Sequence, residues 1–192
     1  MRTLSWNVRG CNAPNKICLI KRCLDQVIPD IVFLQETNIK EEDFGVFARR
    51  FHSWKSSLVG AQSASGGLDA LWRDSVVEVD VIRIDRWWQW LKIRSKQLHT
   101  SFFFINIYGP NNSNLKLQLW SELSDILRND RENLFILGGD FNALLRPSYK
   151  IGSVGWNRHI HRDFNAFVMD SGLLEIPYRM GDFTGLIGGV VF

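Results

Sequence analysis

The sequence predicts an α/β protein whose sheets pack as a sandwich. The chain has 192 residues, enough for one ordinary domain, and no linker or change of composition divides it. Its 13 Phe, 8 Trp and 3 Tyr need deep layers in which to pack, which favours a sandwich containing sheets over a thin helical bundle. The first 34 residues alternate strand, helix and strand, the order of a βαβ-like unit.

The N-terminal unit is predicted from three short patterns. Residues 3–8 predict a short strand, and the Gly, Asn and Pro within residues 10–15 predict a turn. An amphipathic helix follows, with apolar side chains at steps of three and four: Ile17, Ile20, Leu24, Val27 and Ile28. Pro29 ends this helix, and the apolar residues 31–34 are typical of a buried strand.

The middle of the chain changes from helical to strand periodicity. Residues 41–50 predict a short helix. Val77, Val79 and Val81 alternate with acidic residues, which predicts a half-buried strand. Residues 88–94 and 101–108 are rich in aromatic and β-branched residues and predict two further strands.

The C-terminal part returns to alternating helices and strands. A second apolar stripe predicts a helix: Leu115, Leu119, Leu123, Ile126 and Leu127. Residues 134–137 predict a buried strand that ends at Gly138, and residues 163–169 predict a helix. Beyond Gly181 no period is evident.

Composition excludes several classes of protein. The 45% apolar and 22% charged residues argue against disorder, and neither a glycine period nor heptads indicate a fibre. A net charge of +3 permits a polyanionic partner without requiring one. Three cysteines bunched near the start predict reduced thiols rather than a disulfide framework. With no signal peptide and no apolar run near 18 residues, we expect a soluble intracellular protein.

Three polar clusters each follow an apolar strand: Asn7, then residues 35–37, then residues 138–142. Glu36 and Asp140 are hard oxygen donors, and Mg²⁺ takes one or two carboxylates together with water and substrate phosphate. Asn7 and Asn142 can donate to a phosphoryl oxygen or align a water. A carboxylate after a strand is equally typical of a cap or a solvated turn, so the residues alone leave both interpretations open.

Five segments in order resemble the endonuclease/exonuclease/phosphatase superfamily. They are Ser5-Trp6-Asn7-Val8-Arg9-Gly10, residues 29–37 (PDIVFLQET), Ser65-Gly66-Gly67-Leu68, Ile107-Tyr108-Gly109-Pro110 and Gly138-Gly139-Asp140-Phe141-Asn142. The first and third most resemble the endonuclease domains of plant LINE-type (non-LTR) retrotransposons. The resemblance implies a four-layer α/β/β/α sandwich of two mixed sheets flanked by helices.

The resemblance also implies an activity, namely magnesium-dependent phosphodiester hydrolysis that nicks DNA, with Mn²⁺ as an alternative ion. Glu36 matches the family's metal ligand. Asn7 and Tyr108 match residues at the scissile phosphate, and Asp140 and Asn142 match the pair that positions the attacking water. RNA deadenylation and phosphoinositide phosphatase activity use the same scaffold and remain alternatives. A retrotransposon origin would imply a nuclear protein, and no membrane or obligate protein partner is expected.

The C-terminal sequence departs from the family. Residues 181–184 (GDFT) match a family segment, after which the closing strands and a Ser-Asp-His motif should follow. We therefore expect an incomplete domain over residues 1–184, a non-family tail over residues 185–192, and an activity that is weak or lost. The alternative is an inactive remnant or a module that only binds nucleic acid.

The remaining charged residues carry two minor expectations. His159 and His161 should lie before the last helix at the surface rather than bind metal. Two basic groups could line a phosphate-binding groove, although a solvated face is the favoured interpretation. These groups are Lys92, Arg94 and Lys96, and then Arg146, Lys150, Arg158 and Arg162.

Overall fold

Two β-sheets pack face to face, and helices cover their outer faces. The structure is a computed structural model, and it describes residues 1–62, 66–145, 158–176 and 190–191. The α/β sandwich expected from the sequence is confirmed, with four layers in the order helices, sheet, sheet, helices.

The first sheet has four strands, β1 Thr3–Asn7, β2 Ile31–Gln35, β3 Lys55–Val59 and β4 Leu68–Trp72. Their order across the sheet is β1-β2-β4-β3. Strands β1 and β2 are parallel, whereas β4 runs antiparallel to both β2 and β3. Two helices belong to this half, α1 Pro14–Val27 and α2 Phe44–Arg50, and a 3₁₀ turn at Glu41–Asp43 precedes α2.

The second sheet is formed by strands β5 Val77–Ile84, β6 Trp88–Ser95, β7 Ser101–Tyr108, β8 Phe135–Asp140 and β9 Val190–Val191. Their order across the sheet is β5-β6-β7-β8-β9. Strands β7 and β8 are parallel, and the other neighbours are antiparallel. The helices of this half are α3 Ser113–Asn129 and α4 Arg158–Asp170.

Aromatic side chains fill the layers, as the composition predicted. Between the sheets, the rings of Phe33 and Phe104 stack with their centroids 3.8 Å apart. On the outer face of the second sheet, Trp120 from α3 packs against Phe164 and Phe167 from α4, with ring centroids 5.0 and 5.4 Å away. Stacked and tilted ring pairs of this kind add to the free energy gained by burying their area.

Each of the two predicted apolar stripes includes, at one end, a residue that is exposed in the structure. Ile28 is 53% exposed because it ends α1 in a left-handed conformation with φ +49°, which turns its side chain out of the helical stripe. Leu115 is 38% exposed, and Lys116 lies on the buried face of α3 instead, with Leu119 and Leu123. A charged residue in a buried position is invisible to a pattern that counts only apolar side chains.

The predictions for the strands needed three corrections. Val81 is 41% exposed because β5 is an edge strand whose register with β6 is irregular between Val81 and Arg83. Strand β8 does not end at Gly138 but continues to Asp140, paired with β7 throughout. Strands β3 and β4 lacked an alternating pattern, and the sequence did not predict them.

Gly139 explains why β8 can continue. Its φ is +136°, and a Cβ atom there would lie 2.1 Å from the carbonyl oxygen of Ile107 on β7. Only glycine permits this approach of two neighbouring backbones. The glycine pair that looked like a strand terminator is therefore what brings Asp140 to the end of the strand.

The C-terminal expectations are partly covered by the described residues. Helix α4 begins at Arg158, so His159 and His161 lie within it rather than before it. Val190 and Val191 pair with Gly139 and Gly138 of β8, so part of the expected non-family tail adds a strand to the second sheet. Residues 181–184, Arg146 and Lys150 lie outside the described residues.

Candidate active site

Two parallel strand pairs, one from each sheet, end at the same edge of the sandwich. Strand β1 pairs with β2 so that Asn7 lies opposite Gln35, and Glu36 follows directly. Strand β7 pairs with β8 so that Tyr108 lies opposite Asp140. Because parallel strands present their carboxyl ends at one edge, each sheet delivers a set of polar side chains there.

Asn7 joins these two sets of side chains. Its Nδ2 donates to Asp140 Oδ2 at 2.7 Å and to Glu36 Oε2 at 3.1 Å. Its Oδ1 accepts a hydrogen bond from the backbone N–H of Arg9 at 3.0 Å, which fixes the orientation of the amide. Asn7 is buried, so a single amide holds carboxylates from both sheets beside one another.

Asp140 accepts a hydrogen bond on each of its oxygens. Oδ1 accepts from the backbone N–H of Asn142 at 2.9 Å, and Oδ2 accepts from Asn7. Asn142 has a left-handed φ of +49°, and its Nδ2 donates to the carbonyl of Gly109 at 2.7 Å. This strained backbone persists because the hydrogen bonds around it hold it in place, a situation common at functional sites.

Tyr108 contributes a hydroxyl that stays protonated. Burial of the ring is the main cause that raises its pKa to about 12, and the negative charges of Glu36 and Asp140 add to the shift, as does a hydrogen bond to Glu36. A phenolate beside two carboxylates is unfavourable. Tyr108 is therefore a hydrogen-bond donor at neutral pH.

The donor set at this edge fits a hard divalent cation such as Mg²⁺. Glu36 and Asp140 offer carboxylate oxygens, and the φ of Glu36, +54°, is itself in the left-handed region. Within the described ranges no group of three or more His, Cys, Asp or Glu side chains is placed to hold a metal. Such a closed cage is not required, because Mg²⁺ keeps several waters and binds through one or two carboxylates.

Lys116 is a site residue that the sequence analysis missed. It is 7% exposed, and its Nζ donates to the backbone carbonyl of Asn142. Burial lowers the pKa of its ammonium group, while Asp140 opposes that shift. The signal that could have revealed it is its spacing of three and seven residues from Leu119 and Leu123.

A chain of buried amides beneath the site was also missed. Gln35 Nε2 donates to Asn106 Oδ1 at 2.7 Å, and Asn106 Nδ2 donates to Gln89 Oε1 at 3.0 Å. Gln89 Nε2 in turn donates to the carbonyl of Ser57 at 2.9 Å. The three amide side chains are at most 1% exposed, and the chain of hydrogen bonds crosses between the sheets twice.

Other charged residues considered in the sequence form ion pairs or backbone contacts of their own. Arg94 pairs with Glu78 and Asp80 on the neighbouring strand, and Arg162 pairs with Asp163. His159 is exposed, and the Nδ1 of His161 lies 3.1 Å from the backbone N and 3.0 Å from the carbonyl of Leu144. The five predicted residues at the strand ends are thus the ones that the structure brings together.

Comparison with known proteins identifies the family. Residues 4–158 match the Endonuclease/Exonuclease/phosphatase family. The chain belongs to this family. The resemblance in the five sequence motifs is therefore confirmed at the level of the family, whose enzymes generally use divalent metal ions.

Solved structures of the family share the fold at low identity. The 3'-5' exonuclease (NExo) from Neisseria meningitidis superposes with a TM-score of 0.71 at 19% identity, over 100% of this chain and 86% of that one. The endonuclease domain of TRAS1, a telomere-specific non-LTR retrotransposon, superposes with a TM-score of 0.69 at 14% identity, over 99% of this chain and 82% of that one. An AP endonuclease from Archaeoglobus fulgidus superposes with a TM-score of 0.65 at 16% identity, over 98% of this chain and 84% of that one.

Among the described helices, none is long and apolar enough to cross a membrane.

Proposed function

We propose that this chain hydrolyses phosphodiester bonds in DNA with a divalent metal, in the manner of a retrotransposon endonuclease. The observation that carries the proposal is the amide of Asn7, which holds Glu36 from one sheet and Asp140 from the other beside one another. The two carboxylates share Asn7, but the second partner of Glu36 is Tyr108 and that of Asp140 is the backbone N–H of Asn142. Such a pair at one strand edge suits a metal ligand and a base for water.

Each side chain has a distinct task in this proposal. Glu36 would hold Mg²⁺ or Mn²⁺, and the bound ion would neutralise charge on the phosphate. Asp140 accepts a proton from the attacking water, and Asn142 keeps the carboxylate in place through its backbone N–H. Tyr108 would donate its hydroxyl to a phosphoryl oxygen, where charge develops in the transition state, in place of its hydrogen bond to Glu36. Both N–H donors of the Asn7 amide are taken by Glu36 and Asp140, so Asn7 would hold the two carboxylates beside the phosphate.

DNA is the substrate that the relatives favour. Similar structures include a 3' phosphatase from Neisseria bound to product DNA hairpin and the TRAS1 domain. The opening Trp6-Asn7-Val8-Arg9-Gly10 and the Gly66-Gly67 segment resemble plant LINE endonucleases, which further supports DNA. The human Nocturnin catalytic domain has the same fold, so fold alone does not exclude other phosphate esters.

A second candidate is a chain that binds DNA without cleaving it. The observation in its favour is that the described residues place no group of three or more His, Cys, Asp or Glu side chains to hold a metal ion. A site that held its ion only weakly would bind DNA and give little or no nicking.

Nicking of supercoiled plasmid in Mg²⁺ tests the proposal. We expect nicking by the wild type, and a loss of about a hundredfold or more in Asp140→Asn and Glu36→Gln. The matched control is Asp25→Asn, because Asp25 is an exposed carboxylate on α1. Nicking that is as fast in Asp140→Asn as in the wild type would refute the proposal. Binding without any nicking would favour the second candidate.

A further inference from the structure

A small pocket opens beside Tyr108. It has a volume of about 60 Å³. Its wall is formed by residues of the β3–β4 connection, of the β5–β6 connection and of the segment that follows β7. The residues used below are Arg86, Trp87 and Tyr108.

The β5–β6 connection at the rim is fixed to the candidate site. The carbonyl of Trp87 accepts a hydrogen bond from the backbone N–H of Tyr108 at 2.9 Å, and Asp85 N–H donates to the carbonyl of Trp88 at 2.9 Å. The backbone N–H of Trp87 also donates to Asp85 Oδ1 at 3.4 Å. The position of Arg86 is therefore set relative to the strand that carries Tyr108.

Arg86 is a restrained and unpaired cation. Its guanidinium carbon lies 4.4 Å from the centroid of the Trp87 ring, which restricts the side chain, while its surface remains exposed. No carboxylate in the part of the chain that the structure describes forms an ion pair with it, in contrast to Arg94, which pairs with Glu78 and Asp80. A guanidinium held in this way is prepared for an external anion.

We propose that Arg86, held against Trp87, binds the phosphate of a nucleotide that flanks the scissile bond. The inference rests on the proposed function, because it places a polyanionic strand across Tyr108. A strand whose scissile phosphate lies at Tyr108 continues over the rim of the pocket, and arginine binds a phosphate through two parallel hydrogen bonds. The contact is to the backbone and carries no base preference.

The same hairpin supplies a matched control. The guanidinium carbon of Arg83 lies 5.1 Å from the centroid of the Trp88 ring, so it too is an arginine stacked on a tryptophan. Arg83, however, lines a groove with the acidic residues Glu122, Asp125 and Asp130. This negative surface repels DNA, so Arg83→Ala removes the same charge from a place that the strand does not reach.

DNA binding at several salt concentrations tests the inference. The anisotropy of a labelled duplex is measured in EDTA, so that binding is followed without cleavage. We expect Arg86→Ala to weaken binding about tenfold at low salt and to lower the slope of log K against log [NaCl] by about 1. Arg86→Lys should keep the slope, and Arg83→Ala should match the wild type in both affinity and slope.

The outcomes separate this inference from the proposed function. A wild-type slope in Arg86→Ala, or the same loss in Arg83→Ala, would overturn the contact even if the wild type nicks plasmid. An Arg86-dependent slope in a chain that does not nick would support the contact and count against the proposed hydrolysis.

Discussion

Asp69 on β4 places a carboxyl group in an apolar interior. The residue is 0% exposed, and neither of its side-chain oxygens has a hydrogen-bond partner among the described residues. Burial raises its pKa well above the usual value and outweighs the opposing effect of the Ala70 backbone N–H. The group is therefore neutral at acidic pH and is forced toward its buried charged form as the pH rises. Cys11 and Lys16 are the titratable groups nearby: burial first, and then the charge of Asp69, raises the pKa of the Cys11 thiol to about 12, while Lys16 opposes that shift.

We expect Asp69→Ala to stabilise the protein, and to do so more at pH 8 than at pH 5. An unsatisfied buried polar group costs about 1–3 kcal/mol, and each kcal/mol shifts Tm by about 2–4 °C in a domain of this size. The pKa of Asp69 is higher in the folded state than in the unfolded state, where it is about 3.9. The free energy of unfolding of the wild type is therefore highest below that unfolded-state value, and it falls as the pH rises toward the folded-state pKa. Thermal melts across this range measure the difference.

The control for this prediction is an aspartate of opposite character. Asp74 is exposed and hydrogen-bonded to Lys55, which lowers its pKa. Asp74→Ala should therefore bring no stabilisation at any of these pH values. A fall in Tm for Asp69→Ala at pH 8 would show that the Asp69 carboxyl has a favourable partner after all.

At the scale of the elements, apolar patterns predicted most strands and helices, but not the polar contacts between them. The bounds of β7 were predicted to the residue because its aromatic and β-branched run is continuous. Strand β3, by contrast, begins Lys55-Ser56-Ser57, and only its pairing with β4 makes it a strand. Likewise, no sequence pattern predicts that Gln35 hydrogen-bonds to Asn106, because this contact forms only when the two sheets pack together.

We expect Asn106→Leu to destabilise the chain by about 2–5 kcal/mol, because Gln35 and Gln89 each lose a buried partner. The hydrogen bond from Gln35 to Asn106 links β2, which leads to Glu36, with β7, which ends at Tyr108. Nicking should therefore slow beyond what the lower Tm explains. Asn114→Leu, at an exposed position on α3, is the control and should stay within about 0.5 kcal/mol of the wild type. Equal Tm values for the two variants would contradict this prediction.

At the scale of the whole molecule, the candidate site exists only because the two sheets meet. The motifs around residues 7, 36 and 140 were evident in the sequence because polar residues follow apolar strands there, whereas Tyr108 was matched through the family resemblance. What the sequence could not supply was their mutual geometry, which depends on the shared amide of Asn7 and on the close backbone approach at Gly139. Residue types at strand ends can thus be predicted locally, whereas the distances between them are a property of the sandwich.

The same geometry predicts that Mg²⁺ stabilises the folded chain. Glu36 and Asp140 hydrogen-bond to one amide, and an ion beside them relieves their mutual repulsion only when both sheets are in place. At ten times its Kd, Mg²⁺ would add about 1.4 kcal/mol, a rise in Tm of about 3–6 °C. Glu36→Gln should lose this rise, and Asp25→Asn should keep it. If melts in MgCl₂ and in EDTA coincide for the wild type, or if Glu36→Gln retains the full shift, Glu36 is not the ligand.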